Sequence, residues 1–369
     1  MAIRRFTAEH PADATSSSGA PEQVVDPTGQ AAGLALPVRD GRTPTVSVVV
    51  IAYNAARTLE RCLLSVAGQT LTSLYEVILV DDHSTDDTAA IAGRVPGVRV
   101  VGQDLGRKGI PAARNRGMAA ARGEFVAFTD ADCVVGPDWL EALVSRMRAD
   151  AGLAAFGGPL RPIVDDTSWV TRYDGLIAST SGHVAQASTA NVILRRAALA
   201  TVGVFDETLG TGEDPDLLWR LEDAGWRVSG AEEPVVAHEW RGSFRSFLRH
   251  QFHYGEGKAV LARRHPERFP AWQRHGGLLG VAAAVGAVGV LSAAASRSPE
   301  ALGWASLAVV VTLGAVSIGT RRQLVSKLRS AHGTGAAVVA STVFFPMTDI
   351  ANAAGMVAQA LRESRSSRR

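Results

Sequence analysis

The run Val46-Ser47-Val48-Val49-Val50-Ile51-Ala52-Tyr53-Asn54 sets the architecture. Its β-branched part is too short for a typical helix. A continuous apolar run of this length reads as a strand covered on both faces, as in parallel sheets. Asn54 is expected to cap a helix reaching about Gly68. A second apolar run, Tyr75 to Val80, ends in Asp81-Asp82. Ser84 or Thr85 should open the next helix, with Asp86 and Asp87 at its positive end. Val98 to Val101 reads as a third strand. Pro111 stands where a helix can begin, and that helix should run to Ala121. Gly123 ends it, and Glu124 to Thr129 forms a fourth strand. Strand and helix alternate, so a mainly parallel sheet flanked by helices is expected.

Further on the pattern is less regular. Leu153 to Gly157, Ala190 to Leu194, Trp226 to Ser229 and Pro234 to Ala237 read as strands. Arg196 to Val202, Asp214 to Ala224 and Phe244 to Arg264 read as helices. The span Pro159 to Ser188 has no pattern from which it can be folded.

Composition narrows the class. The 369 residues are 46% hydrophobic and 20% charged, which excludes a disordered chain. Only Cys62 and Cys133 are present, so a disulfide-stapled secreted module is excluded. A net charge of +2 offers no broad surface for neutralising phosphates, so no nucleic-acid partner is expected.

The apolar excess is concentrated. Gly276 to Ala295 and Ala301 to Thr320 carry no charge, and each is long enough to cross a hydrocarbon layer of about 30 Å. The expectation is a transmembrane hairpin, with a pair of buried core helices as the alternative. Arg263, Arg264, Arg268 and Arg274 flank it on one side, and Arg321, Arg322, Lys327 and Arg329 on the other. Both flanks should therefore be cytoplasmic in a multi-pass protein of the cell membrane. Residues 335–361 are apolar but interrupted by Pro346, Asp349, Asn352 and Gln359, and a re-entrant or interfacial helix is expected there. The expected divisions are a disordered 1–43, a catalytic domain over 44–240 and a basic amphipathic helix and linker over 241–275. The hairpin follows over 276–320, and a helix with a basic tail over 321–369.

The carboxylates are not scattered. Asp81 and Asp82 follow the second strand, and Asp130-Ala131-Asp132 the fourth. Open α/β sheets bind ligands outside the carboxyl ends of their strands. In extended chain, residues i and i+2 point the same way, so Asp130 and Asp132 can converge on one ligand. Hard oxygen donors of this kind suit Mg²⁺ or Mn²⁺. A solvated acidic turn is the structural alternative.

These stretches together resemble the family 2 glycosyltransferases, inverting nucleotide-sugar enzymes of GT-A type fold. The resemblance rests on VSVVVIAYN (Val46 to Asn54), VDDHST (Val80 to Thr85), IPAARNRG (Ile110 to Gly117) and GEFVAFTDADC (Gly123 to Cys133). It continues in Asn191 to Arg195, Phe205-Asp206-Glu207 and GEDPDLLWR (Gly212 to Arg220). It spans about Thr45 to His250 and implies the GT-A type nucleotide-diphospho-sugar transferase fold.

The resemblance also implies roles. Ala52, Tyr53, Asn54, Asp82, Arg114, Asp130 and Ala131 would bind the nucleotide-sugar donor. Tyr53 would lie against the base, and Asp82, rather than Asp81, would accept hydrogen bonds from it. Arg114 would hold sugar or diphosphate oxygens, or else form a structural ion pair with an aspartate. Asp132 would ligate Mn²⁺ or Mg²⁺, joined by His238. Asp214 matches the catalytic base, Glu213 would orient the acceptor, and Asp216 with Arg220 suits an i,i+4 pair. The Q-x-x-R-W signature of processive synthases is missing, which implies one sugar per encounter. The implied acceptor is a lipid-linked or cell-envelope glycan, or a polyprenyl phosphate, approached along membrane lipid by the basic helix Arg241 to Arg264; a solvated amphipathic helix packed on the catalytic domain is the structural alternative for that segment. A nucleotide-sugar-binding scaffold without turnover is the non-enzymatic alternative. Nucleotidyl transfer would need a basic, glycine-rich triphosphate loop after the first strand, and a dehydrogenase a G-x-G-x-x-G there; neither is present.

Overall fold

A computed structural model describes residues 43–102, 108–163, 188–239 and 243–269, with single helical positions between 348 and 365. The expected hairpin at 276–320, the N-terminal 42 residues and most of the patternless span lie outside the described residues. Among the described residues no helix is long and apolar enough to cross a membrane.

The strands are β1 (Val46–Ala52), β2 (Tyr75–Asp81), β3 (Val98–Val101), β4 (Phe125–Asp130), β5 (Cys133–Val135), β6 (Leu153–Gly157), β7 (Leu160–Pro162), β8 (Val192–Arg195), β9 (Arg227–Gly230) and β10 (Val236–His238). The helices are α1 (Leu59–Ala67), α2 (Thr88–Arg94), α3 (Ile110–Ala120), α4 (Trp139–Ala149), α5 (Arg196–Val202), α6 (Glu213–Asp223) and α7 (Phe244–Arg264). Seven strands form one sheet in the order β3-β2-β1-β4-β8-β6-β9, and β5-β10-β7 form a small second sheet. Strands β1 to β4 are parallel, as expected. Strand β8 breaks the pattern, running antiparallel to both β4 and β6.

The two faces of the sheet explain the continuous apolar runs. Val46, Val48 and Val50 enter one core with Tyr75, Val77, Leu79, Phe125 and Ala127. Val49, Ile78, Val80, Val126 and Phe128 enter the core on the opposite face. Alternation of side chains along each strand sends neighbours into different layers, so both faces are apolar apart from the paired Ser47 and Glu76.

Several local expectations need correction. Asn54 does not cap α1. It takes a positive φ of 50° and its Oδ1 accepts from the Thr85 amide at 2.8 Å, while Thr58 occupies the cap position. Helix α2 starts at Thr88 rather than at Ser84 or Thr85, because Asp86 Oδ1 accepts from the Thr88 amide at 3.1 Å and its hydroxyl at 2.5 Å, closing a turn first. Helix α4 and strands β5 and β7 are not among the elements expected above. The buried stripe Trp139, Leu140, Leu143, Val144 and Met147 has helical spacing and was available to a reader of the sequence.

Helix α7 has the bounds expected from sequence. One side packs into the protein, with Phe247, Gln251, Gly257 and Leu261 buried, while Arg245 and Arg249 are exposed. The C-terminal helical residues meet it too. A Cβ on Gly355 would overlap the Phe252 carbonyl, and Arg362 pairs with Glu256 at 2.6 Å.

Candidate functional site

The carboxyl ends of β1, β2 and β4 define one edge of the large sheet. Asp82 follows β2, and its amide donates to Ala52 O at 2.9 Å. Ile51 is the register partner of Asp130, so Ala52, Tyr53 and Asn54 lie between the two acidic turns. Asp82 and Asp130 thus flank β1 and do not stand on adjacent strands. Because β8 runs the other way, its N-terminal approach, Thr189 to Asn191, reaches this same edge.

The Asp82 carboxylate already serves the protein. Its oxygens accept from the Lys108 amide at 3.0 Å, the Gly109 amide at 2.9 Å and Arg116 Nη1 at 3.1 Å. It fixes the entry to α3. Asp81 Oδ1 accepts from the Ser84 amide at 2.9 Å, shaping the turn in which His83 takes a φ of 68°. Tyr53 is 43% exposed and presents its ring at the edge.

Arg114 on α3 is buried, as a cation must be only when paired. Its Nη1 pairs with Glu213, and its Nη2 lies 3.7 Å from Asp130 Oδ1. The guanidinium also stands 5.8 Å from the Phe205 ring centroid. It therefore joins the β4 acidic turn to the first turn of α6. Asn115, beside it, clasps the Phe205 backbone in both directions, at 2.9 Å and 3.0 Å. The motifs at 110–117 and 205–207 meet through this pair.

Asp130 and Asp132 sit together, with Ala131 buried between them. Burial pushes the Asp130 carboxyl up; Arg114 opposes that, Asp132 adds to it and His238 opposes it. Its Oδ1 is sheltered from solvent, with Arg114 Nη2 beyond ordinary hydrogen-bond length at 3.7 Å. Asp132 Oδ1 lies 3.4 Å from His238 Nε2, and ligand atoms of Asp132, Cys133 and His238 all fall within 4.8 Å of one another. The Asp132 carboxylate and the His238 imidazole, converging beside Asp130, fit a divalent cation. Burial raises the Cys133 thiol well above the usual range, so it stands there as a neutral neighbour.

Asp214 lies in the first turn of α6, against Thr189, Val192, Phe205, Leu217 and Leu218. These apolar walls strip water from it. Burial first, then the neighbouring Glu213 charge, push its carboxyl from 3.8 up to about 7, with Arg114 and the Thr189 amide pulling the other way. Two adjacent carboxylates near one buried guanidinium are thus driven apart in role: Glu213 takes the ion pair, and Asp214 holds a proton near neutrality. The i,i+4 pair forms, Arg220 Nε lying 2.9 Å from Asp216.

Two further residues, Glu239 and Asn191, hold the site together without having been assigned a role from sequence. Glu239 follows His238 and is clamped by Arg57 and Arg61, whose hydrogen bonds hold its carboxyl below the usual range. Its amide donates to Asp132 O at 3.0 Å, which ties β10 to the acidic turn. Asn191 is fully buried and accepts from Trp139 Nε1 at 2.9 Å while donating to Pro234 O at 2.8 Å. It holds α4, β8 and the approach to β10 together. Only the shared Asn191-to-Arg195 motif hinted at it.

Comparison with known proteins places this geometry. Residues 47–203 match the family model described as "Glycosyl transferase family 2". Glycosyltransferase AglE of Haloferax volcanii is 31% identical over 225 residues, covering 58% of this chain and 73% of that protein. The chain belongs to glycosyl transferase family 2. A further relative, the pre-mycofactocin glycosyltransferase of Mycobacterium tuberculosis, is 33% identical over 250 residues, covering 63% of this chain and 51% of that protein. The chain thus spans about half the length of that relative. Among solved structures, the mannosyltransferase PcManGT from Pyrobaculum calidifontis, in complex with GDP-Man and Mn²⁺, aligns with a TM-score of 0.55 at 18% identity, covering 86% of this chain and 88% of that one. The α/β GT-A-like fold, with its mostly parallel sheet, is shared.

Proposed function

We propose that this family 2 member is a metal-dependent inverting glycosyltransferase. It moves one sugar from a nucleotide-diphosphate donor to a hydroxyl of a lipid-linked or cell-envelope glycan. The observation that carries the proposal is the link from Asp130 through Arg114 to Glu213, which sets an acidic cation-binding turn and an acidic helix start around one sheet edge.

Asp132 and His238, with Asp130 behind them, are the residues that would hold Mn²⁺ or Mg²⁺. The cation would supply neutralisation of the charge that develops on the departing nucleoside diphosphate. Tyr53 offers an aromatic face to the base. Asp82 supports this side indirectly, by fixing Lys108 and Gly109 at the start of α3. Glu213 pairs with Arg114 and orients the acceptor.

Asp214 is the general base. As the acceptor oxygen bonds to the anomeric carbon, its proton passes to an Asp214 oxygen, and the bond to the diphosphate oxygen breaks. A carboxyl lifted to about 7 is matched to that transfer near neutral pH. The apolar stretches at 276–295 and 301–320 support a setting at a membrane, where a lipid-linked acceptor would be presented.

The test is a thermal-shift screen of nucleotide-sugars with and without Mn²⁺, followed by transfer assays on Asp132→Ala and Asp214→Asn. A donor should stabilise the protein in the presence of Mn²⁺ only. Asp132→Ala should lose that response, and Asp214→Asn should keep it without turning over. Full activity in both variants would refute the proposal.

A further inference from the structure

Helix α6, which carries Asp214, is held from behind by α7 along one line of contacts. Positions 253, 257, 261 and 265 are spaced four apart and so follow one face of α7 into its C-terminal cap. The His253 carbonyl accepts from Thr211 Oγ1 at 2.9 Å. Gly257 lies directly on Thr211: a Cβ there would overlap Thr211 Oγ1 and stand 2.6 Å from its carbonyl oxygen. Leu261 comes next. It reaches within 2.6 Å of where a Cβ on Gly212 would be, and Gly212 has a φ of 86° at the N-cap of α6. His265 Nε2 then meets Asp216 Oδ1 at 3.0 Å. At the far end, Arg268 bonds Glu222 and Asp223, each at 2.6 Å.

These contacts fix α6 immediately before Glu213-Asp214, one turn later at Asp216, and again at its end. A helix held at three points along one side cannot slide or roll without breaking a contact. The closest approach is at Gly257, where no side chain separates the two backbones. Gly212 is doubly constrained, by its left-handed φ and by Leu261.

We infer that α7 positions the catalytic base, with Gly257 as the positioning residue: the missing Cβ lets Thr211-Gly212 sit at the depth that aims Asp214 at the sheet edge. The inference rests on the reading of Asp214 as the base. Gly257 touches neither donor nor acceptor and acts through Thr211.

The experiment is Gly257→Ala in the full chain, assayed in Mn²⁺ with whichever of UDP-glucose, UDP-N-acetylglucosamine or GDP-mannose the wild type turns over. An added methyl must push the start of α6 outward, and displacement of a reacting group by about 1 Å costs about 100-fold in rate. We expect kcat to fall by about that factor while the donor KM changes by less than about twofold, because Tyr53, Asp130 and Asp132 stand on other elements. An unchanged kcat, or a loss expressed through KM, overturns the inference. Amide hydrogen exchange at Glu213 to Leu217 is the second readout; it should quicken in Gly257→Ala, and an unchanged pattern overturns the inference even without an assay. Should Gly257→Ala fail to fold, Leu261→Ala withdraws the contact beside Gly212, and the same division between kcat and KM is expected. Transfer by Asp214→Asn at the wild-type rate defeats the reading of Asp214 as base, and the exchange measurement then decides the role of α7 alone.

Discussion

Replacing Asp214 by Asn should stabilise the protein above neutral pH while abolishing transfer. The Asp214 carboxyl is raised from 3.8 to about 7, chiefly by burial and then by Glu213. The sign follows from where the proton resides. Between those two values the unfolded chain has released its proton and the folded protein retains it, so folding stability declines as pH rises through the window and is level above it. The full rise corresponds to about 4 kcal/mol at about 1.4 kcal/mol per pH unit. Asp214 is partly exposed and accepts from the Thr189 amide, so we expect about half of that, about 2 kcal/mol. For a domain of this size it amounts to about 4–8 °C in Tm. Asparagine does not titrate. The difference in Tm between Asp214→Asn and wild type should be smallest near about pH 4, grow with pH and flatten above about pH 7. Differential scanning calorimetry of both proteins across this range measures it. A difference that ignores pH, or one that is largest in acid, would refute the placement of Asp214 in a desolvating pocket.

Other outcomes follow from neighbouring contacts. Glu213→Gln removes the second-largest cause of the Asp214 rise and frees Arg114 to favour the charged form, so the acid limb of the pH–kcat profile should move below about pH 7. Glu76, at the opposite edge of the sheet, is held below the usual carboxylate range against its burial by hydrogen bonds from Arg122 and Ser47. Glu76→Gln should therefore cost stability above the unfolded Glu value of 4.5 and cost progressively less as pH falls below it, read as urea midpoints at about pH 7 and about pH 4. Trp139→Phe leaves the buried Asn191 Oδ1 without its donor and should cost about 1–3 kcal/mol in chemical denaturation. Gly158→Ala places a methyl onto the Pro234 carbonyl, 3.0 Å from Asn191 Nδ2, and should destabilise by about 1–3 kcal/mol in the same measurement.

Glu76 and Asp214 show how the two edges of one sheet differ. Glu76 gathers Ser47 Oγ at 2.7 Å, the Arg122 amide at 2.9 Å and the Arg122 guanidinium at 2.8 Å. Every burden of its burial is met by a donor. At the carboxyl edge, Asp130 and Asp214 are left raised by burial instead. Unsatisfied acidity of this kind costs stability and supplies chemistry, which is the usual division between a structural edge and a functional one.

The chain order of strands and helices is written locally. Apolar runs of strand length, Pro111 at a helix start and carboxylates just past strand ends are readable because each depends on residues close in sequence. That locality placed Asp82, Asp130 and Asp132 at one edge of a parallel sheet and delimited α7 to the residue. Long-range pairings were not readable. Arg114 finds Glu213 across 99 positions and Arg61 finds Glu239 across 178, and no periodicity encodes such a meeting. The reversal of β8 likewise depends on which neighbours it hydrogen-bonds, and it alone brings Thr189 and Asn191 to the reacting edge. Sequence named the acidic groups, whereas packing decided which of them ties down a loop, which forms an ion pair and which, partly desolvated beside another negative charge, holds a proton near neutrality.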